Sequence, residues 1–241
     1  MTGADPLTDL WVYLNTTPLF WLWVTLMAYL VGHALHVKAR GAPLVNPVAI
    51  AVGLIIALLW ATKTSYEHYF EGAQFIHFLL GPATVALAVP LFENLGRVRR
   101  VLIPMTAALV VGSIVAAASA MILGKLMGAS PEVVLSLAPK SVTSPIAMGI
   151  SESIGGLPRL TAALVILTGI LGAILVTPLM DRLGIRDYQA RGFAAGLAAH
   201  GIGTARAFQV HPIAGAFAGI GMGLNGLVTT VVVAVLVAVL T

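Results

Sequence analysis

Apolar residues in this chain come in runs separated by short polar punctuation, at residues 19–37, 47–61, 75–92, 101–123, 133–150, 160–180, 192–205 and 213–240. A stretch of about 20 apolar residues spans the hydrocarbon core of a bilayer as a helix. The runs starting at 101, 160 and 213 are long and nearly free of polar atoms, which predicts full spanning helices. Those around 81, 140 and 200 are interrupted by Gly, Pro, Ser, Thr, Lys, His or Arg. Backbone that leaves the helix at membrane depth needs protein or a watery cavity to satisfy its amides, so these stretches belong in the protein interior. The pattern predicts an all-α integral membrane protein, a polytopic helical bundle of about six to eight membrane segments that includes broken or re-entrant helices. No alternation of short apolar and polar strands marks a barrel. No linker of domain-separating length divides residues 1–241, which read as one domain.

Composition narrows the function classes. Of 241 residues, 59% are hydrophobic and 9% charged, against roughly 25% charged in a soluble domain. A soluble enzyme and a nucleic-acid binder are poor fits, and the absence of cysteine removes disulfides, thiolate nucleophiles and Cys metal sites. The net charge of +4 arises from 13 basic and 9 acidic residues. Basic residues cluster between apolar runs: Lys38 and Arg40, then Arg97, Arg99 and Arg100, then Arg182, Arg186 and Arg191. Such clusters record orientation, because short loops rich in Lys and Arg stay in the cytoplasm. With the N-terminus outside, the runs at 19, 47 and 75 cross in order and leave the second cluster inside. The third cluster joins it only if the interrupted segment near 140 dips in and returns to its starting side. The alternative is that this segment crosses and the loop at 181–191 violates the bias.

The first 35 residues hold Asp5 and Asp9 but no Lys or Arg, so they lack the basic start of a cleavable signal, and the first span is retained. Trp11, Tyr13, Trp21, Trp23 and Tyr29, with Trp60, Tyr66 and Tyr69, read as interfacial anchors.

A faint internal repeat is visible. ATVALAVPLFENLG (83–96) matches SVTSPIAMGISESIG (141–155), placing Thr84 over Thr143 and Glu93 over Glu152. Downstream, residues 105–117 match residues 160–173 through a shared TAALV. Related halves with interrupted segments in corresponding places point to a transporter's central site.

Three stretches carry candidate chemistry. In APKSVTSPIAMGISESIGGLP (138–158), Lys140, Ser141, Thr143 and Ser144 stand in an apolar region, with Glu152 further on. Pro139 and Pro145 disfavour helix before them, so the backbone there unwinds and offers carbonyls, amides and hydroxyls to a small solute. The plainer alternative is an interfacial loop with Lys140 snorkelling to headgroups. In AAHGIGTARA (198–207), Gly201 and Gly203 allow close backbone approach, and Arg206 can hold a carboxylate with two parallel hydrogen bonds. His200 and Thr204 interrupt the same run; His200 reads either as a core histidine or as a proton carrier. In LLGPATVALAVP (79–90), Gly81, Pro82 and Pro90 predict a kink or break, and Thr84 is the main polar side chain. Thr84, Glu152 and Asn225 are secondary candidates, Asn225 chiefly as a hydrogen-bonding residue between helices. Gly215, Gly219 and Gly223 recur at every fourth position, a spacing that lets helices pack closely within the chain or between protomers. There is no Walker loop, no metal-ligand spacing and no recognisable catalytic triad, so neither ATP-driven pumping nor enzymatic catalysis is expected, and no cofactor or metal is called for.

The blocks PKSVTSPIAMGISESIGGLPRLTAALVILTGILGA and RGFAAGLAAHGIGTARA, together with LGPATVALAVPL upstream, resemble the LrgB family of bacterial membrane proteins, also called antiholin-like or CidB-type. Family members carry PKSVTTPIA and SHGIGTARA, so Ser144 stands where Thr is usual and Ala199 where Ser is usual. The resemblance implies regulation of murein hydrolase export and cell lysis, in concert with a small holin-like partner of the LrgA/CidA type. It also implies small-carboxylate transport, since related proteins move pyruvate, and a plastid fusion moves glycolate and glycerate.

Residues and resemblance together give the expectation of a multi-pass carrier, or the core subunit of one, for small monocarboxylates in the bacterial plasma (inner) membrane. Its substrate site would be lined by Lys140, Ser141, Thr143, Ser144, His200, Gly201, Gly203, Thr204 and Arg206, the two cations holding one organic anion between them. The expected partners are lipid, the LrgA/CidA-like protein and further copies of the chain, with no nucleic acid. The competing expectation is an antiholin-like regulator that acts through its holin-like partner and moves no solute.

Overall fold

The computed structural model describes residues 18–86 and 88–240, and every regular element among them is an α-helix. The expectations on Asp5, Asp9, Trp11 and Tyr13 lie outside the described residues, as does that on the Thr84 side chain. Four helices are long and apolar enough to cross a membrane: α1 (Pro18–Lys38), α6 (Leu102–Leu126), α9 (Pro158–Arg182) and α11 (Pro212–Leu240). The chain divides into two compact units, with the boundary after Ala86.

The first unit is α1 followed by α2 (Pro47–Thr62) and α3 (Tyr66–Ala86). The loop into α2 is closed locally. The Asn46 side chain accepts from the amides of Val48 and Ala49, capping the helix, while His36 Nδ1 lies 2.7 Å from the Val45 carbonyl. Gly32 of α1 lets the Pro47 backbone approach where a Cβ would collide with it. Trp21 does not serve as an interfacial anchor: it is buried, edge-on to Tyr69, and Tyr69 Oη sits 3.0 Å from Thr25 Oγ1. Trp23, Trp60 and Tyr66 are exposed. Pro82 does not break its helix; it stays inside α3, which ends at Ala86.

In the second unit, the short helices α4 (Ala88–Glu93) and α5 (Leu95–Arg100) lead into α6. Beyond it, α7 (Pro131–Leu137) and α8 (Ser144–Ser153) measure about 10 and 15 Å at the helical rise, well short of a hydrocarbon core of about 30 Å. Pro131, Pro145 and Pro158 occupy first-turn positions, where the missing amide costs nothing and the fixed φ favours helix. The segment enters and leaves at one end of the unit. Gly124, at the far end of α6, admits Leu137 and Val134. The Leu157 amide donates to Ser136 Oγ at 2.7 Å, and Thr161 Oγ1 lies 2.7 Å from Ser151 Oγ and 3.1 Å from the Ser136 carbonyl. Thus the end of α6, the base of this first hairpin and the start of α9 are together, and the turn at 138–143 points inward, its Val142 packed with Ala117, Met121, Val165 and Val233.

The element α10 (Tyr188–Val210) is not one rod. Ala199 (φ −132°, ψ 20°) and His200 (φ 40°, ψ −133°) leave the helical conformation, and the chain folds back there into two antiparallel arms, residues 188–198 and 201–210. Tyr188, at its beginning, stacks on His211, just past its end, with ring centroids 4.1 Å apart. Between the arms, Gly203 lies against the Ala195 carbonyl, 2.5 Å from where a Cβ would be. The apolar run at 192–205 therefore forms a second hairpin in place of a crossing segment. The first arm runs alongside α11, with Gly192 and Gly196 against the Ala214 and Ala218 backbones, while Gly215 receives the Phe208 ring from the second arm. The supposed glycine ladder is thus only partly a packing face: Gly215 is occupied within the chain, whereas Gly223 faces open space. At this end, Arg191 bonds to Asp181 Oδ1 at 2.8 Å and tethers the end of α9 to the base of the hairpin.

Candidate functional site

The two hairpins enter from opposite ends of the unit, and both reach Asn225, the fourteenth of the 29 residues of α11. Asn225 is fully buried, and its amide Nδ2 faces Leu197 O at 3.0 Å, Ser141 Oγ at 3.3 Å and Ser141 O at 3.4 Å. Its Oδ1 accepts from Ser113 Oγ at 2.7 Å and Thr229 Oγ1 at 2.9 Å. The reason for an amide here is local. Folding α10 back at Ala199 and His200 removes the acceptor role of carbonyls in the preceding turn, and a buried carbonyl needs a donor. Asn225 supplies one, and the same group bonds the turn of the first hairpin and the middle of α6.

The turn of the second hairpin is pinned to α9. His200 is buried, and its Nε2 donates to the Val165 carbonyl at 2.9 Å; a carbonyl only accepts, so that nitrogen carries the hydrogen. Gly169 leaves room for the ring, whose Cε1 would stand 2.6 Å from a Cβ there, and Gly172 accommodates Ala199. A positive φ at a non-glycine residue is strained by about 1–3 kcal/mol, and the ring's hydrogen bond and burial hold it in place. Thr204 Oγ1 donates to the His200 carbonyl at 2.8 Å and closes the first turn of the second arm.

Of the residues expected to form one site, Ser141, His200, Gly201, Thr204 and Asn225 gather around the two turns. Lys140 is partly buried in the first turn, beside Ser141. Thr143 precedes α8 without a side-chain capping bond, and α8 begins at Ser144. The N-terminal ends of two half-helices meet α11 within one of its turns: Gly201 lies against Met222, and Ile146 of α8 against Gly226. Arg206 departs from the expected pairing with Lys140. It lies six residues beyond His200, about 9 Å along the arm, and lines a small crevice with Val176, Thr177 and Arg191, its Nη1 donating to Gln209 Oε1 at 3.3 Å. The cause is the fold-back, which carries the second arm away from the first hairpin. Glu152 is exposed near the end of α8, outside the cluster. Ser151 and Thr161, which the sequence did not single out as a pair, form the buried lock at the base of the first hairpin.

Sequence comparison places this geometry. The LrgB-like family's profile matches residues 25–239. The chain belongs to the LrgB-like family. Relatives of this LrgB-like chain include the antiholin-like protein LrgB of Bacillus mycoides strain KBAB4 and that of Bacillus cereus strain B4264, each 33% identical over 90% of this chain and 94% of its own length. An uncharacterised protein of Haemophilus influenzae is 33% identical over 82% of the LrgB-like chain and 86% of its own. No solved structure matches.

Replacing Asn225 by leucine keeps the branched shape, with somewhat more bulk, but leaves Leu197 O, Ser141 and the Ser113 hydroxyl without their central partner. Interhelical hydrogen bonds in membranes contribute modestly one by one, but here several are lost together, so a destabilisation of about 2–3 kcal/mol is expected, read as a lowered Tm in detergent.

Proposed function

We propose that this LrgB-like protein is a carrier, or the core subunit of one, for small monocarboxylates such as pyruvate or glycolate. The observation that carries this reading is the meeting of the two hairpin turns at Asn225, halfway along α11, with Lys140 and the N-terminal ends of α8 and of the second arm at the same level. Helix N-termini carry partial positive charge and free amides, and broken helices that meet at the bilayer midplane build the binding sites of secondary transporters. A carboxylate fits there between the Lys140 ammonium, the hydroxyls of Ser141, Thr143 and Ser144, and the first amides of the second arm, around Gly201 and Gly203. Arg206 stands on the side leading towards the Arg191 loop. No residue is assigned a catalytic role.

In the membrane, the hairpins are re-entrant and α1, α2, α3, α6, α9 and α11 cross, making eight segments in the bacterial inner membrane. This topology puts Val101 and Asp187, which line one cavity, at the same end, so the second and third basic clusters both face the cytoplasm, as the charge bias requires. In this topology helices α6 and α9, which carry the matched TAALV segments, run in opposite directions, as the halves of an inverted repeat would.

Kinship favours a second reading. The relatives named antiholin-like protein LrgB support an antiholin-like role. On this reading the chain regulates murein hydrolase export and lysis through a small holin-like membrane partner of the LrgA/CidA type and assembles as an oligomer, as the sequence resemblance implies. Reconstitution separates the two. Proteoliposomes holding this chain, with and without such a partner, are screened for saturable uptake of short organic acids. Uptake that depends on this chain supports the carrier; absence of flux in both preparations leaves the lysis-control reading.

A further inference from the structure

A cavity of about 510 Å³ lies between α6, the first arm of α10 and Phe217 of α11. It runs from Val101 and Asp187 at the end that carries the basic loops to Gly112 and Leu197 next to the hairpin turns. Val101 and Gly112 are eleven residues apart on and beside one helix, about 16 Å at the helical rise, or half of a hydrocarbon core of about 30 Å. The cavity exists because the facing positions are small: Ala108 and Gly112 on α6, Ala194 and Ala198 on the arm. Its inner end is narrow, since Leu197 Cδ1 and Cδ2 stand 3.0 Å from where a Gly112 Cβ would be.

One observation at its outer end favours water over lipid as its content. Gln189 lines the cavity, and its Oε1 is buried with no hydrogen-bond partner. Buried acceptors in folded proteins are satisfied, by ordered water if by nothing else, and a hydrocarbon tail offers no donor. The cavity also greatly exceeds the roughly 30 Å³ that a water molecule takes in the liquid. We infer that this cavity is the aqueous half-channel that connects the side of the basic loops to the hairpin turns, with Leu197 against Gly112 as its inner constriction. The inference rests on the carrier reading for its purpose, but water access is measured independently of flux.

The test exploits a chain that contains no cysteine. Ala108→Cys and Ala194→Cys place single thiols on the two walls, and Val111→Cys places one on the exposed outer face of α6. Each is expressed in vesicles of either orientation and treated with a charged, membrane-impermeant thiol reagent. Both wall positions are expected to be labelled from the side of the Arg97–Arg100 loop and not from the other, while Val111→Cys stays unlabelled. Adding Gly112→Val should abolish labelling of Ala198→Cys, which lines the innermost part of the cavity beside the constriction, while Ala108→Cys, nearer the mouth, still reacts. Wall positions that react only with a neutral, lipid-soluble reagent, or only from the opposite side, would overturn the half-channel. Labelling as expected in a protein without carboxylate flux would retain the water path and remove the carrier reading alone.

Discussion

Lys140→Ala abolishes saturable carboxylate uptake in proteoliposomes and leaves the protein at least as stable as the wild type. The first half of this expectation follows from the proposed site, in which Lys140 stands next to Ser141 in the turn that bonds Asn225. A hydrogen bond to a charged group is worth about 1.5–3 kcal/mol, which corresponds to roughly 10- to 150-fold in binding, and more where water is excluded. The second half follows from the ion pairs. Among the described residues they are His68–Glu71 and Arg191–Asp181, and neither involves Lys140. A cation at membrane depth costs about 2.5–3.5 kcal/mol on insertion scales, so removing one without a carboxylate partner relieves the fold. Activity and stability should therefore move in opposite directions, which a merely structural lysine would not produce. Lys140→Arg, which keeps the charge but changes its shape, should retain partial uptake. Arg206→Ala, on the arm that leads away from the turns, should raise KM more than it lowers kcat. Wild-type uptake by Lys140→Ala would remove the anion site from the first turn.

The parts of this architecture that could be read from the chain are those decided by local physics. Long apolar runs became α6, α9 and α11 because their length and hydropathy decide for a spanning helix even where Pro178 lies inside α9. Pro139 follows the end of α7 and Pro145 stands in the first turn of α8, so the two prolines bracket the turn of the first hairpin; yet Ala138 before Pro139 keeps helical φ and ψ, Ser144 already belongs to α8, and the extended residue is Thr143. For α10 the glycines and polar residues around 200 marked an interruption, but nothing local marked a complete reversal. Its turn falls at Ala199 and His200, with no proline nearby and with a non-glycine residue at positive φ. What holds it is distant in sequence: the Val165 carbonyl, the missing side chains at Gly169 and Gly172, and the Asn225 amide.

The same long-range origin explains why Arg206 reads as a partner of Lys140 in a linear view. A reversal six residues upstream carries it elsewhere. Trp21 illustrates a degeneracy of another kind. An aromatic near the end of an apolar run has the same appearance whether it faces headgroups or, as here, Tyr69 and His68. Asn225 was legible in type, because a lone amide in an apolar run must bond across helices. Its partners were not.

Gly196→Val prevents the second hairpin from forming, and the variant should be nearly absent from the membrane fraction or lose its Tm transition in detergent. Gly196 faces the backbone of Ala218, and a Cβ there would overlap the carbonyl oxygen. A side chain in the way can rotate; a helix backbone cannot. The first arm and α11 would have to separate along their length, taking Leu197 O away from Asn225 and loosening Ala195, Ala207, Ala214 and Ala218, which pack as one cluster. Overpacking alone costs about 1–3 kcal/mol. Adding the lost hydrogen bonds and close helix contact brings the total above about 4 kcal/mol, which is exceptional for one substitution. The comparison that makes this specific is Gly223→Val on α11, where a Cβ meets no atom within 4 Å. Only the difference in helix propensity acts there, less than about 1 kcal/mol and in the stabilising direction. A stable Gly196→Val variant would show that the arm and α11 are not in backbone contact. A Gly223→Val variant as damaged as Gly196→Val would show that the open face of α11 is covered by another protomer or partner.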